Sequence, residues 1–151
     1  EHRASGIATR SAARIGMRFS KRGVRKGTVL LGSPAGEWHA LGGQLLSDLI
    51  HLEGWKVDDL GSNVPVESFV VAATQIPDVV AVCIASTMKE TLPAMSETIT
   101  KIKKASNNSI PCFAGGAAVL NLEHAEKLGA DYWAGDLRTL MPMLQQHAIR
   151  I

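Results

Sequence analysis

Apolar residues fall along the chain in short runs that switch between two periods. Residues 28–32 (Thr-Val-Leu-Leu-Gly), 79–85 (Val-Val-Ala-Val-Cys-Ile-Ala) and 110–114 (Ile-Pro-Cys-Phe-Ala) are near-continuous apolar stretches. Runs of this length, rich in β-branched residues, predict strands covered on both faces, as central parallel strands are. Residues 56–60 and 131–134 read as two further strands. Helical spacing of apolar positions predicts helices over 40–53, 66–75, 90–105, 121–128 and 137–146. Strand and helix therefore alternate through the whole segment from Thr28 onward.

Five such repeats predict an α/β fold, a doubly wound five-stranded parallel sheet with helices on both faces. Right-handed crossovers and short loops leave the flavodoxin-like order 2-1-3-4-5 as the natural topology. One more helix is predicted over 2–22: Ala4, Ala8, Ala12, Ile15 and Phe19 share a face, well away from Arg3, Arg10, Arg14, Arg18 and Lys21. The reading divides the chain into a basic amphipathic helix and linker, 1–26, left from an upstream helical module, and an α/β body, 27–151.

Charge sharpens that division. The 151 residues carry a net charge of +2, but residues 1–26 alone hold +7 and residues 27–151 hold −5. The basic segment could contact phosphates, yet it carries no base-reading motif, and a solvated face or a subunit contact explains it as well. With 46% hydrophobic and 20% charged residues the composition is that of one globular domain and excludes disorder. No apolar run approaches the ~20 residues that a membrane span needs. Cys83 and Cys112 each lie in an apolar run, which predicts buried free thiols and a reducing, cytoplasmic setting. A chain that opens at Glu1 reads as part of a longer protein.

In a sheet of this order ligands bind beyond the carboxyl ends of the strands, near the switch point between the first and third. The sequence places small, polar or glycine-rich loops there: 32–43, 61–65, 86–88, 115–118 and 135–136. Gly32, Ser86 and Gly135-Asp136 stand where a phosphate-receiver domain needs two acids and a lysine, so that function is excluded. Residues 32–39 do not supply the Gly-x-Gly-x-x-Gly of a dinucleotide site. His39, two residues after Glu37, is a candidate metal ligand, with the carboxylate holding its other ring nitrogen. Taken alone, the pair is read more readily as a surface histidine beside an unrelated acid. No closed set of protein ligands surrounds it, so one ligand would suit a metal already held by a macrocycle.

Three loops carry a more specific pattern: Glu37-Trp38-His39-Ala40-Leu41-Gly42, then Ser86-Thr87-Met88, then Gly115-Gly116. The spacing, with 43 residues between Gly42 and Ser86 and 26 between Met88 and Gly115, also fits. The pattern resembles the cobalamin-binding domain family, whose signature is Asp-x-His-x-x-Gly, Ser-x-Leu and Gly-Gly. Glu37 stands in place of the Asp and Met88 in place of the Leu. The resemblance implies that His39 is the lower axial ligand of cobalt, in place of the cofactor's own dimethylbenzimidazole. It implies that the released nucleotide tail runs into a slot beside the sheet. Gly115 and Gly116 would let the base approach the backbone, and Ser86 and Thr87 would offer hydroxyls to the tail. Glu37, Trp38, Gly42, Asn63 and Met88 complete the expected cofactor-binding set.

The family includes enzyme subunits, methyl-carrying corrinoid proteins and light-sensing adenosylcobalamin-dependent (MerR-type) transcription regulators. Glu37 in the His motif, and Glu1-His2 at the head of a basic helix, resemble the regulators more than the enzymes. The expectation is therefore a sensory domain that binds adenosylcobalamin, or methylcobalamin, with His39 on cobalt. His2 would be a candidate upper ligand after light breaks the Co–C bond. The implied protein is homo-oligomeric and meets DNA through an upstream domain. The alternative is a corrinoid carrier or domain of a cobalamin-dependent methyltransferase or mutase. No Ser-His-Asp set or paired-carboxylate site is present, so the chain is not expected to be a catalyst by itself.

Overall fold

The structure, a computed structural model, describes residues 26–149. The helix expected over 2–22 lies outside the described residues, and His2 with it.

The five strands are β1 (Thr28–Gly32), β2 (Lys56–Asp59), β3 (Val79–Ala85), β4 (Cys112–Gly115) and β5 (Tyr132–Ala134). The helices are α1 (Leu41–Leu52), α2 (Val66–Gln75), α3 (Leu92–Ala105), α4 (Leu122–Lys127) and α5 (Leu137–Gln146). All strand pairs are parallel and the order is β2-β1-β3-β4-β5, the expected one. Every residue of the central β1 is buried, whereas Lys-Val-Asp-Asp of the edge strand β2 is half-buried to exposed. Charged residues on an edge strand discourage pairing with another chain.

Alternate residues of the strands feed two cores. Leu30, Val82, Ile84 and Ala114 pack with Phe69 of α2, Ile99 and Ile102 of α3, and Ala125 of α4. Val29, Leu31, Ala81 and Phe113 pack on the other face with Ile50 of α1 and Leu140 and Leu144 of α5. Each fully buried Val, Leu, Ile or Phe among them contributes roughly 1.5–3 kcal/mol. Cys83 and Cys112 are buried and free, on opposite faces of the sheet, which excludes a disulfide between them. Burial pushes both thiols up to about 12.

The differences from the expected boundaries have local causes. Pro111 has no N–H, and the β4 ladder begins only at Cys112 rather than at 110. The helix expected from 90 begins with a 3-10 turn, Lys89–Thr91, and becomes α-helical at Leu92, with Pro93 in the first turn. Asp136 caps α5 by accepting from the Thr139 N–H at 3.0 Å. The register aligns Ala85 with Gly115 and Gly115 with Ala134, so the loops after β3, β4 and β5 emerge side by side, beside that after β1.

Candidate functional site

The loop between β1 and α1 is pinned to the loop after β2. The Gly36 N–H donates to Asn63 Oδ1 at 2.8 Å, and the Asn63 N–H donates to the Glu37 carbonyl at 2.7 Å. Asn63, expected among the cofactor contacts, thus serves to hold this loop. The clamp turns Glu37 inward, where it is 1% exposed.

A buried carboxylate needs hydrogen bonds to remain charged, and Glu37 is saturated with them. Its Oε1 accepts from the His39 backbone N–H at 3.1 Å and lies 2.5 Å from His39 Nδ1. Its Oε2 accepts from the N–H of Thr87 at 2.6 Å, the hydroxyl of Thr87 at 3.0 Å and the N–H of Met88 at 3.3 Å. Burial alone would raise the carboxyl's pKa, but the bonds from Thr87 and His39 outweigh it and bring it down to about 2. The carboxylate fixes the His39 ring through Nδ1, and the ring itself is 63% exposed. With Nδ1–H donated to Glu37, the free lone pair of the neutral imidazole is on Nε2. That is the arrangement of a metal-binding histidine with a carboxylate behind it.

Beside this cluster a cavity of about 260 Å³ opens over the carboxyl ends of the strands. It is lined by Gly42, Gly43 and Leu46 of α1, by Gly116, and by Leu137 and Leu140 of α5, and it shares His39 and Thr87 with the carboxylate cluster. A Cβ added to Gly42 or Gly43 would meet nothing within 4 Å, so the cavity keeps its width because these residues have no side chain. Gly43, Leu137 and Leu140 were not among the expected site residues. The signal available for them was the strand order, which sets the glycine-bearing start of α1 against the start of α5.

Other expected residues have different roles in the structure. Ser86 is fully buried, and its hydroxyl faces Thr91 Oγ1, the Met88 carbonyl at 3.2 Å and, more distantly, Glu37 Oε2 at 3.4 Å. Its hydroxyl is engaged within the protein. Gly115 and Gly116 answer to chain packing: a Cβ on Gly115 would lie 2.6 Å from the Ala134 carbonyl oxygen, and one on Gly116 would collide with the Ser86 backbone. Gly116 also lines the cavity. Met88 contributes its N–H to Glu37, and Trp38 is 68% exposed next to His39. His147 packs edge-on to Phe113 and Tyr132, away from the site. Among the described residues no group of three or more His, Cys, Asp or Glu could hold a metal ion. No described helix is long and apolar enough to cross a membrane.

A family model described as "B12 binding domain" matches residues 27–142. The chain is 28% identical over 137 residues to trimethylamine corrinoid protein 1 of Methanosarcina acetivorans, a match covering 84% of this chain and 62% of that protein. The trimethylamine corrinoid protein of Methanosarcina barkeri is 31% identical over 109 residues, 71% of this chain and 49% of that protein. The chain thus spans about half to three fifths of these relatives. Among solved structures, the monomethylamine corrinoid protein of Methanosarcina barkeri superposes with a TM-score of 0.75 at 19% identity, over 89% of this chain and 62% of that one. The methanol:cobalamin methyltransferase complex of the same organism superposes with a TM-score of 0.64 at 26% identity, over 77% of this chain and 44% of that one.

Proposed function

The chain belongs to the B12 binding domain family, and from that premise we propose that it is a corrinoid carrier unit that presents a methyl group to partner methyltransferases. This corrects the weight given to the light-sensing regulator: the relatives named above are corrinoid proteins and a methyltransferase complex.

The cofactor is a cobalamin-class corrinoid. The residues present suit it. One exposed imidazole, backed by a buried carboxylate, supplies a single nitrogen ligand, which is what a metal already held by a macrocycle requires. Side-chain-free Gly42 and Gly43 leave a mostly apolar slot next to that ligand. In this reading His39 Nε2 would hold the cobalt, Glu37 would hold the ring and its tautomer, and the slot between α1 and α5 would take the nucleotide tail. A bound corrinoid supplies a cobalt centre able to take up and hand over a methyl group. The chain's part is to bind, orient and electronically support that centre. The activation of methyl donor and acceptor would then be the part of partner proteins.

The observation that carries the reading is the Glu37–His39 pair at the mouth of the strand-end cavity. The test is titration with methylcobalamin and aquocobalamin, followed by absorbance. Histidine-on binding displaces the dimethylbenzimidazole and changes the spectrum, and His39→Ala should abolish that change. An unchanged spectrum and affinity in His39→Ala would end this reading. Glu37 in place of Asp favours the regulator as a second reading. A light-dependent change in the association state of the adenosylcobalamin complex, together with no methyl transfer to any partner, would select it.

A further inference from the structure

The outward face of α1 is apolar. At 100° per residue Leu41, Leu45, Leu49 and Leu52 fall within one arc of the helix, opposite the buried Ile50. Leu45 is 46% and Leu49 41% exposed. A surface helix turns polar residues outward, so a leucine stripe along its whole length calls for a partner. We propose that the stripe is the seat of this chain's own basic segment, residues 2–22. Its alanines, Ile15 and Phe19 lie against the leucines, and its cations lie beside the acids of α1 and β2.

Three observations select this occupant. The first is where the chain enters. Lys26 Nζ donates to the Glu53 carbonyl, just past the end of α1, at 2.9 Å and sits 5.6 Å from the centre of the Trp55 ring. The chain thus reaches β1 from the C-terminal end of α1, on the face of the sheet that α1 covers and not on that of α2 and α3. The second is length. The helix that the sequence predicts over 2–22 would be about 31 Å long, against about 18 Å for the 12 residues of α1. It can cover the stripe from end to end after the turn of residues 23–25.

The third is charge. Residues 1–25 hold seven Lys and Arg against Glu1 alone. Asp48, Glu53, Asp58 and Asp59 stand along α1 and β2, and among the described residues none of them is in an ion pair. Asp48 borders the leucine stripe, and its Oδ2 is buried with no hydrogen-bond partner among the described residues. A buried carboxylate oxygen without a donor is costly. Cations seated alongside supply the missing donors and offset the mutual repulsion of these acids. A second copy of the chain fits less well. Pairing α1 with α1 about a two-fold axis would bury the leucines but set each Asp48 close to the other.

The test is thiol labelling of the full chain without cofactor, so its outcome is independent of the cobalamin reading. Leu45→Cys and Leu49→Cys each place one accessible position on the stripe. Val71→Cys is the reference, on α2 across the sheet, where Val71 is 58% exposed. The stripe thiols should label about 10-fold more slowly than the reference, as expected of a face uncovered only by local opening, and at a rate independent of protein concentration. The triple variant Arg14→Glu, Arg18→Glu, Lys21→Glu should bring them to the reference rate and leave Val71→Cys unchanged. Hydrogen exchange of the unsubstituted chain gives a reading that depends on no variant: residues 2–22 should exchange more slowly than an unstructured segment. The proposal is overturned if the stripe thiols label as fast as Val71→Cys, if their protection survives the triple charge reversal, or if residues 2–22 exchange as an unstructured chain. Protection that grows with protein concentration, alongside a dimer in light scattering, would assign the stripe to a second copy and overturn it equally.

Discussion

The backbone of Gly116 lies against the backbone of Ser86 with no room for a side chain between them. A Cβ built on Gly116 meets the Ser86 carbonyl oxygen, which itself accepts the Ala118 N–H at 3.0 Å, while the Ser86 N–H donates to Gly115 at 3.0 Å. The loops after β3 and β4 are thereby laced into one surface, and that surface carries the donors that hold Glu37.

Gly116 also has a φ of +90°, so Gly116→Ala combines left-handed strain with a backbone collision. It should lose about 2 kcal/mol or more, measured by urea unfolding. Gly42→Ala is the contrasting variant, since its added methyl meets nothing and α1 gains a better helix former. Its stability should be unchanged or slightly higher. Equal losses in both would mean that the Gly116–Ser86 approach is not as tight as described.

Acid should weaken the fold through Glu37. Its carboxyl lies at about 2 in the folded protein against an ordinary value of 4.5. The folded state therefore holds the proton less tightly than the unfolded chain, and the stabilisation is complete above 4.5 and lost as pH falls toward 2. Its size is on the order of 2 kcal/mol. Unfolding curves at several pH values between 7 and 2 should show wild type approaching Glu37→Gln as the pH drops. The difference between the two proteins separates Glu37 from Asp59, which burial and the nearby Asp48 and Asp58 push upward. Parallel curves at all pH values would contradict the saturated carboxylate.

Neither cysteine should react in the native protein. Cys83 and Cys112 are buried, with thiols pushed up to about 12, so almost no thiolate is present near neutrality. A chromogenic disulfide reagent at pH 8 should label well under one thiol per folded chain, and two per chain once denatured, the full complement. Fast labelling of native protein would show that β3 or β4 opens readily.

The strand–helix alternation was legible because the strands are covered on both faces and read as unbroken apolar runs. Val79–Ala85 and Thr28–Gly32 were bounded to the residue for that reason. The ends that differ are set by chemistry outside the apolar pattern, the missing N–H of Pro111 above all. His39 and Glu37 were legible because their two-residue spacing lets an acid reach its own neighbour's ring. What Asn63 does was not legible, because it depends on Gly36 and Glu37, 26 or more positions away, whereas the engagement of Ser86 depends on how the turn after β3 folds Met88 and Thr91 back onto its hydroxyl. The α5 side of the cavity was missed for a related reason: Leu137 and Leu140 look like any amphipathic helix face until the strand order sets them opposite Gly42 and Gly43.

That opposition gives a way to separate the nucleotide tail from the corrin ring. If the tail enters the cavity between α1 and α5, a side chain grown from Gly43 should block it without touching the fold, because a Cβ there meets nothing within 4 Å. Gly43→Leu should therefore unfold at a urea concentration close to that of wild type. Its affinity for cobalamin should fall at least 10-fold, since an ordered tail can no longer be accommodated and its contacts with the slot are lost. Cobinamide, which has the corrin ring but no nucleotide, should bind Gly43→Leu and wild type almost equally, because both keep His39 and Glu37. The comparison is made by equilibrium dialysis with each ligand. A parallel loss for cobalamin and cobinamide would place the obstruction at the ring rather than the tail and refute the slot; no loss for either would mean the tail lies elsewhere.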